Sequence, residues 1–227
     1  MPFAAIIFDM DGLLLDTERL AWTAFLQACG QHRLAVDRGF YDRLIGLNHA
    51  AAAPLLDAWL AGETAPSLHA FRASWDNAYH VLLDEGVPVK AGADILLAHL
   101  HDSGMTCAVA TSTETDLAQQ KLERAGLAPF LRGVVGGDRV AKGKPAPDIY
   151  LQVASQIAAD PANCLAFEDS ENGVRAALAA GMTVVQVPDL VAPSPDLRAL
   201  GHDIEVSLLD AAVKKNLYPP FTPIEPL

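Results

Sequence analysis

Two kinds of hydrophobic pattern alternate along the chain. Residues 4–8, Ala-Ala-Ile-Ile-Phe, are apolar without a polar partner face, the mark of a strand buried on both sides. The run stops at Asp9-Met10-Asp11-Gly12. Similar short apolar runs recur at 106–110, 133–135, 164–167 and 183–187, with a last short one at 204–206. Between them apolar residues fall at helical spacing, over about 93–103, 114–125, 146–158 and 171–180. Strand and helix alternating in this way predict an α/β fold, a Rossmann-like parallel sheet with helices on both faces.

Residues 16–88 break the rhythm. They show no strand pattern and predict helices at about 18–29, 36–44, 48–60 and 67–85, with Gly30, Gly46 and Gly62 at the expected ends. A helical block inserted after the first strand predicts a cap over the carboxyl edge of the sheet, where ligands bind in open α/β folds. The expected organisation is a core of 1–15 and 89–227 with an inserted helical cap of 16–88. Segment 189–202, rich in Pro, Asp and Gly, reads as loop, and a helix runs to about 215. The four prolines of 218–227 exclude a regular helix or central strand there.

Composition narrows the choice of function. Half of the 227 residues, 51%, are apolar, enough for a sizeable core, yet no apolar run reaches the ~20 residues of a membrane span. The first residues lack a basic leader region, so a cytoplasmic protein with no membrane partner is expected. Sixteen basic against 28 acidic residues give a net charge of −12, which disfavours nucleic acid. An anionic small substrate would need a local basic group or a bound metal cation. Cys29, Cys107 and Cys164 have no zinc or redox spacing. Cys107 and Cys164 fall inside apolar strands as small core residues.

Four short motifs sit at the carboxyl ends of expected strands. In Asp9-Met10-Asp11-Gly12, two carboxylates two apart share a side if the chain stays extended, so one can attack an electrophile or hold a metal while the other moves a proton. Thr111-Ser112-Thr113 offers hydroxyls and N–H groups to an anion at a helix start, or simply caps that helix through Thr113. Lys144 stands between Gly143 and Pro145, and Glu168-Asp169-Ser170 is a second acidic strand end. Taken singly, they read more readily as a turn, a cap or a surface charge. Together they converge on one sheet edge, where clustered carboxylates are costly without a cation. A hard divalent ion with oxygen ligands, Mg²⁺, removes that cost and attracts phosphate.

The segments FDMDGLLLDTE, ATST, KGKPAPDIY and FEDSENGVRAALAAG, in this order, resemble the four motifs of the haloacid dehalogenase superfamily, in its branch of β-phosphoglucomutase-like and sugar-phosphatase-like members with a small helical cap. The resemblance covers about 3–16 and 89–188, and the cap only in helical character. It implies a Mg²⁺-dependent phosphatase acting on a small phosphorylated metabolite. Asp9 would be the nucleophile and Asp11 the general acid and base. Thr111 and the Ser112 backbone would hold phosphoryl oxygens, and Lys144 would neutralise phosphate and Asp9. Asp169 would bind Mg²⁺ with Asp9 and the Asp11 carbonyl, supported by Glu168.

The same resemblance separates the branches. Asp11 and Asp169 speak against the metal-free dehalogenases, and the first lysine in the chain is Lys90, so the cap lacks a Schiff-base lysine. Phosphomutases of this kind carry a histidine where Ala21 aligns, which favours hydrolysis with phosphomutase as the alternative. A binding module without catalysis is the reading from another class, and none of the four motifs is missing. A monomer is expected, with a dimer as the alternative. Candidates for substrate selection in the cap are Trp22, Arg43, His49 in the turn after Gly46, and Arg72. Arg43 could meet a distal carboxylate or second phosphate, or be a solvated helix-end charge.

Overall fold

The computed structural model describes residues 2–45, 47, 49–62 and 65–220, and for His49 the backbone alone. Six strands, β1 (Ala5–Phe8), β2 (Thr106–Ala110), β3 (Val134–Val135), β4 (Cys164–Glu168), β5 (Thr183–Gln186) and β6 (Asp203–Ile204), form one sheet in the order β3-β2-β1-β4-β5-β6. Every pairing is parallel. β1 alternates its side chains between two cores. Ile6 and Phe8 enter one, together with residues of α5 (Ala93–Asp102), α6 (Thr115–Arg124) and α10 (Leu208–Lys214). Ala5 and Ile7 enter the other, with α7 (Asp148–Gln156) and α8 (Glu171–Ala179). Cover on both faces is why the strands read as unbroken apolar runs. Cys107 and Cys164 are buried and unpaired, as expected of strand-core residues.

Between β1 and α5 lie α1 (Thr17–His32), α2 (Arg38–Asp42), α3 (His49–Trp59) and α4 (Leu68–Glu85), with no strand among the described residues. They enclose a separate core in which Phe25, Phe40, Tyr41 and Phe71 pack with Trp22, Trp59 and Trp75. The two chain crossings between this block and the sheet run side by side. Asp16 N–H donates to the Pro88 carbonyl (2.8 Å), Lys90 N–H donates to that of Leu14 (2.9 Å), and Leu15 bridges Val89. Asp189, after β5, ties the crossings together by accepting from Lys90 (2.6 Å) and Arg19 (3.1 Å), while Arg19 also holds Asp16.

Three local expectations change. Gly30 lies inside α1, and the left-handed position that ends the helix is Arg33, whose N–H returns to the Cys29 and Gly30 carbonyls. Residues 189–202 are not all loop, because Ser194 caps a short helix, α9 (Pro195–Arg198), with proline at its first position. Thr113 does not cap α6, since Glu114 stands at the N-cap and the Thr113 hydroxyl is used elsewhere. Gly46 and residues 221–227 of the proline-rich tail lie outside the described residues. No helix among the described residues is long and apolar enough to cross a membrane.

Candidate active site

Register sets the site. Phe8 of β1 lies level with Val109 of β2 and Phe167 of β4, so Asp9, Thr111 and Asp169 leave three neighbouring strands at one edge. Asp9 keeps the ladder for one more residue through its N–H to the Phe167 carbonyl (2.9 Å). The chain then turns tightly, with the N–H groups of Leu14 and Leu15 both returning to the Met10 carbonyl (2.9 Å). Gly12 makes this possible. Its φ is +88°, and a Cβ there would fall 2.4 Å from an Asp169 carboxylate oxygen.

Asp9, Glu168 and Asp169 are buried, and each offers an oxygen within 4.8 Å of the others. Lys144 Nζ donates to Asp9 Oδ1 (2.5 Å), Glu168 Oε1 (2.5 Å) and the Ala110 carbonyl (3.1 Å). Glu168 also accepts from the Tyr150 hydroxyl (2.5 Å) and from Ser170 N–H and Oγ. The Ser170 hydroxyl in turn caps α8 by accepting from Gly173 N–H (3.1 Å). Burial raises the pKa of Asp9 to about 8, with Lys144 opposing and the charges of Glu168 and Asp11 adding to the rise. Burial, then the charges of Asp9 and Glu168, push Asp169 well above the usual carboxylate range. Three buried carboxylates around one ammonium leave an excess of negative charge and of oxygen donors. That donor set fits a hard divalent cation.

Asp11 is held differently. Its Oδ1 accepts from Thr17 Oγ1 and from Lys121 Nζ (2.8 Å), and its Oδ2 from Thr113 Oγ1 (2.7 Å) and, at 3.4 Å, from Thr111 Oγ1. Burial alone would raise its pKa, but the Lys121 charge and the hydrogen bonds from Lys121, Thr17 and Thr113 hold it below the usual range. The two carboxyls of the first motif are therefore driven in opposite directions, Asp9 up and Asp11 down. Lys121 lies on α6, and sequence reasoning passed over it. The signal was present, because Ala118, Lys121, Leu122 and Ala125 fall at the spacing of a buried helical stripe, and a lysine on such a stripe needs a partner. Glu18, just past the first crossing, was also missed. Burial, followed by the Asp11 charge, lifts its pKa to about 7.

A cavity of about 710 Å³ opens over these groups. The core lines it with Asp9, Asp11, Thr111, Ser112, Lys144 and Asp169, and the helical block with Glu18, Ala21, Tyr41, Arg72, Trp75 and Tyr79. Of the substrate-selection candidates, Arg72 is on the cavity wall. Trp22 and Arg43 are not on the wall. Trp22 packs on Phe25 and Tyr41 beneath the Arg38 guanidinium, because a large ring on that side of α1 completes the aromatic core. Arg43 is exposed and lies over Phe40, 5.2 Å from the ring centre, the placement of a helix-end charge. The His49 side chain lies outside the described residues.

A family model for haloacid dehalogenase-like hydrolases matches residues 6–187. The chain belongs to that family. Among haloacid dehalogenase-like proteins it is similar to a probable pseudouridine-5'-phosphatase of Drosophila melanogaster, 34% identical over 95% of this chain and 94% of that protein. It is 32% identical to a fructose-1-phosphate phosphatase of Escherichia coli, over 82% of this chain and 96% of that one. A solved structure of a putative β-phosphoglucomutase from Thermotoga maritima has the same haloacid dehalogenase-like architecture, with a TM-score of 0.76 and 29% identity over 94% of this chain and 99% of that one.

Proposed function

We propose that the chain is a phosphatase that hydrolyses small phosphomonoesters through an aspartyl-phosphate on Asp9. The observation that carries this reading is geometric: Asp9, gripped by Lys144 beside Asp169, and Asp11, anchored by Lys121 and three threonine hydroxyls, stand two residues apart under one cavity. An Asp9 oxygen attacks phosphorus while the bond from phosphorus to the ester oxygen breaks. Asp11 enters this step in its protonated form, gives that proton to the ester oxygen, and the alcohol leaves. As a carboxylate, Asp11 then takes a proton from water, whose oxygen attacks the aspartyl-phosphate and releases inorganic phosphate and free Asp9.

Lys144 neutralises Asp9 and a phosphoryl oxygen, and Thr111 and Ser112 at the end of β2 hold the others. Asp9 and Asp169, with the Asp11 carbonyl, would hold Mg²⁺, and Glu168 supports them by fixing Lys144. When bound, the ion supplies charge neutralisation for the transferring phosphoryl group. Residues 16–88 act as a cap that shuts water out during transfer. The cavity has the size of a small-metabolite site, and its acid-rich wall suits a leaving alcohol rich in hydroxyls. The similarity to phosphatases named for pseudouridine 5'-phosphate and fructose 1-phosphate supports such a substrate.

The test is release of inorganic phosphate from a panel of sugar, polyol and nucleoside phosphates with Mg²⁺ present. Asp9→Asn should abolish release, because an amide cannot form the acyl-phosphate. Substantial turnover by that variant would remove the nucleophile from Asp9.

A further inference from the structure

Lys121 takes no part in the steps described above beyond its bond to Asp11, yet it is one of the most deeply buried charges among the described residues, only 3% exposed. Its ammonium leaves the core helix α6, crosses to Asp11 Oδ1, and lies beneath Tyr79 of the cap helix α4, 5.1 Å from the ring centre. Of the four groups on Asp11, three are hydroxyls, which can turn to accept as well as donate. An ammonium can only donate. While Lys121 stays on Oδ1, that oxygen cannot carry a proton directed at the ammonium, and the proton of the acid form belongs on Oδ2. Oδ2 is the oxygen facing Thr113 and Thr111, beside the loop that would hold the phosphoryl group.

We propose that Lys121 is the positioning residue that selects which oxygen of Asp11 works, keeping Oδ1 as a fixed anchor and leaving Oδ2 to give a proton to the departing alcohol and later to take one from water. The proposal rests on the general-acid role given to Asp11 above. Lys121 touches neither phosphorus nor the leaving oxygen and acts only through Asp11. Tyr79 closes the space above the ammonium, so the anchor holds with the cap in place.

Leaving groups read this role directly. An alkyl ester needs its oxygen protonated as it departs, whereas an aryl ester with an acidic phenol does not. The experiment compares glycerol 3-phosphate with p-nitrophenyl phosphate for the full chain, Asp11→Asn, Lys121→Met and the double variant, with thermal melts to establish folding. Asp11→Asn should lower the alkyl-to-aryl ratio of kcat by about 10²-fold or more. Lys121→Met keeps the aliphatic stem and should lower the same ratio by at least about tenfold, with no further drop when added to Asp11→Asn. An Asp11→Asn ratio like that of the unaltered chain would refute the acid role and this proposal with it. A normal Asp11→Asn response beside a Lys121→Met ratio that does not fall would overturn the proposal alone. Lys121→Gln serves if the Met variant does not fold, and loss of folding in both would assign Lys121 to the core and reject the positioning role.

Discussion

Gly173→Ala sets helix propensity against a single side chain. Gly173 is in the first turn of α8 and buried. Alanine is better than glycine inside a helix by ~1 kcal/mol, so propensity alone predicts a more stable protein. The added Cβ, however, would lie 1.9 Å from the carboxyl carbon and Oε1 of Glu168 and 2.0 Å from Oε2. Glu168 is fully buried and held by Lys144, Tyr150 and Ser170. Forcing a methyl group into a packed interior costs ~1–3 kcal/mol. Driving one partner out of a buried ion pair costs ~3–5 kcal/mol. If the carboxyl is displaced, the second cost applies, and subtracting the propensity gain leaves a net loss of roughly 2–4 kcal/mol. For a chain of this size that lowers Tm by roughly 5–15 °C. Urea and thermal unfolding would measure it. Gly30→Ala is the matched control, since Gly30 lies within α1 and a Cβ there meets nothing within 4 Å. It should gain up to ~1 kcal/mol. Equal gains at both positions would show that Glu168 is not fixed where the structure has it, and the reasoning would fail.

Without divalent cations, stability should fall as pH rises from about 4 to about 8. The folded pKa of Asp9 is raised from 3.8 to about 8, so the native state binds more protons than the unfolded chain across that window. Melts in chelator at pH 5.5 and pH 8 should show the drop, and Mg²⁺ should raise Tm more at pH 8. Asp189→Ala removes the acceptor shared by Lys90 and Arg19 at the two chain crossings. It should cost about 1 kcal/mol in urea unfolding, most of it at low salt, and no loss would make the network a solvated surface cluster. Incubation with β-glucose 1-phosphate and a sugar bisphosphate should release inorganic phosphate without accumulating glucose 6-phosphate, because Ala21 on the cavity wall has no proton to exchange. Glucose 6-phosphate without phosphate release would restore the phosphomutase alternative.

The parts of the molecule that were legible in the sequence share a physical cause. β1, β2 and β4 are buried on both faces, so their apolar runs are unbroken, and each ends where a polar residue enters the site. Asp9, Thr111 and Asp169 were therefore visible as strand ends, and Lys144 through its flanking glycine and proline. For Lys121 the stripe on α6 signals burial, but its partner Asp11 is 110 positions away and no local pattern names it. Residues of the helical block were hard to place for the same reason. Trp22 and Tyr41 sit in one aromatic cluster, yet only Tyr41 reaches the cavity, and helical periodicity does not say which side of a separate core faces the sheet. Thr113 offered a cap or a site hydroxyl, and the choice depended on where Asp11 stood in space.

The position of β1 has a consequence for how the chain is made. It is the first strand synthesised and a central one, paired with β2 on one side and β4 on the other. Neither neighbour exists until residue 106 and beyond have been translated, a wait of roughly 5–20 s at ordinary rates of synthesis. Through that interval Ile6, Ile7 and Phe8 have no strand to bond with, and they form a short sticky edge for chaperones to shield. Residues 16–88 emerge meanwhile, and every side chain of their separate aromatic core is made before β2 is. A ribosome that stalls before β4 leaves β1 without that neighbour, and the strand that ends in Asp9 stays open along one side.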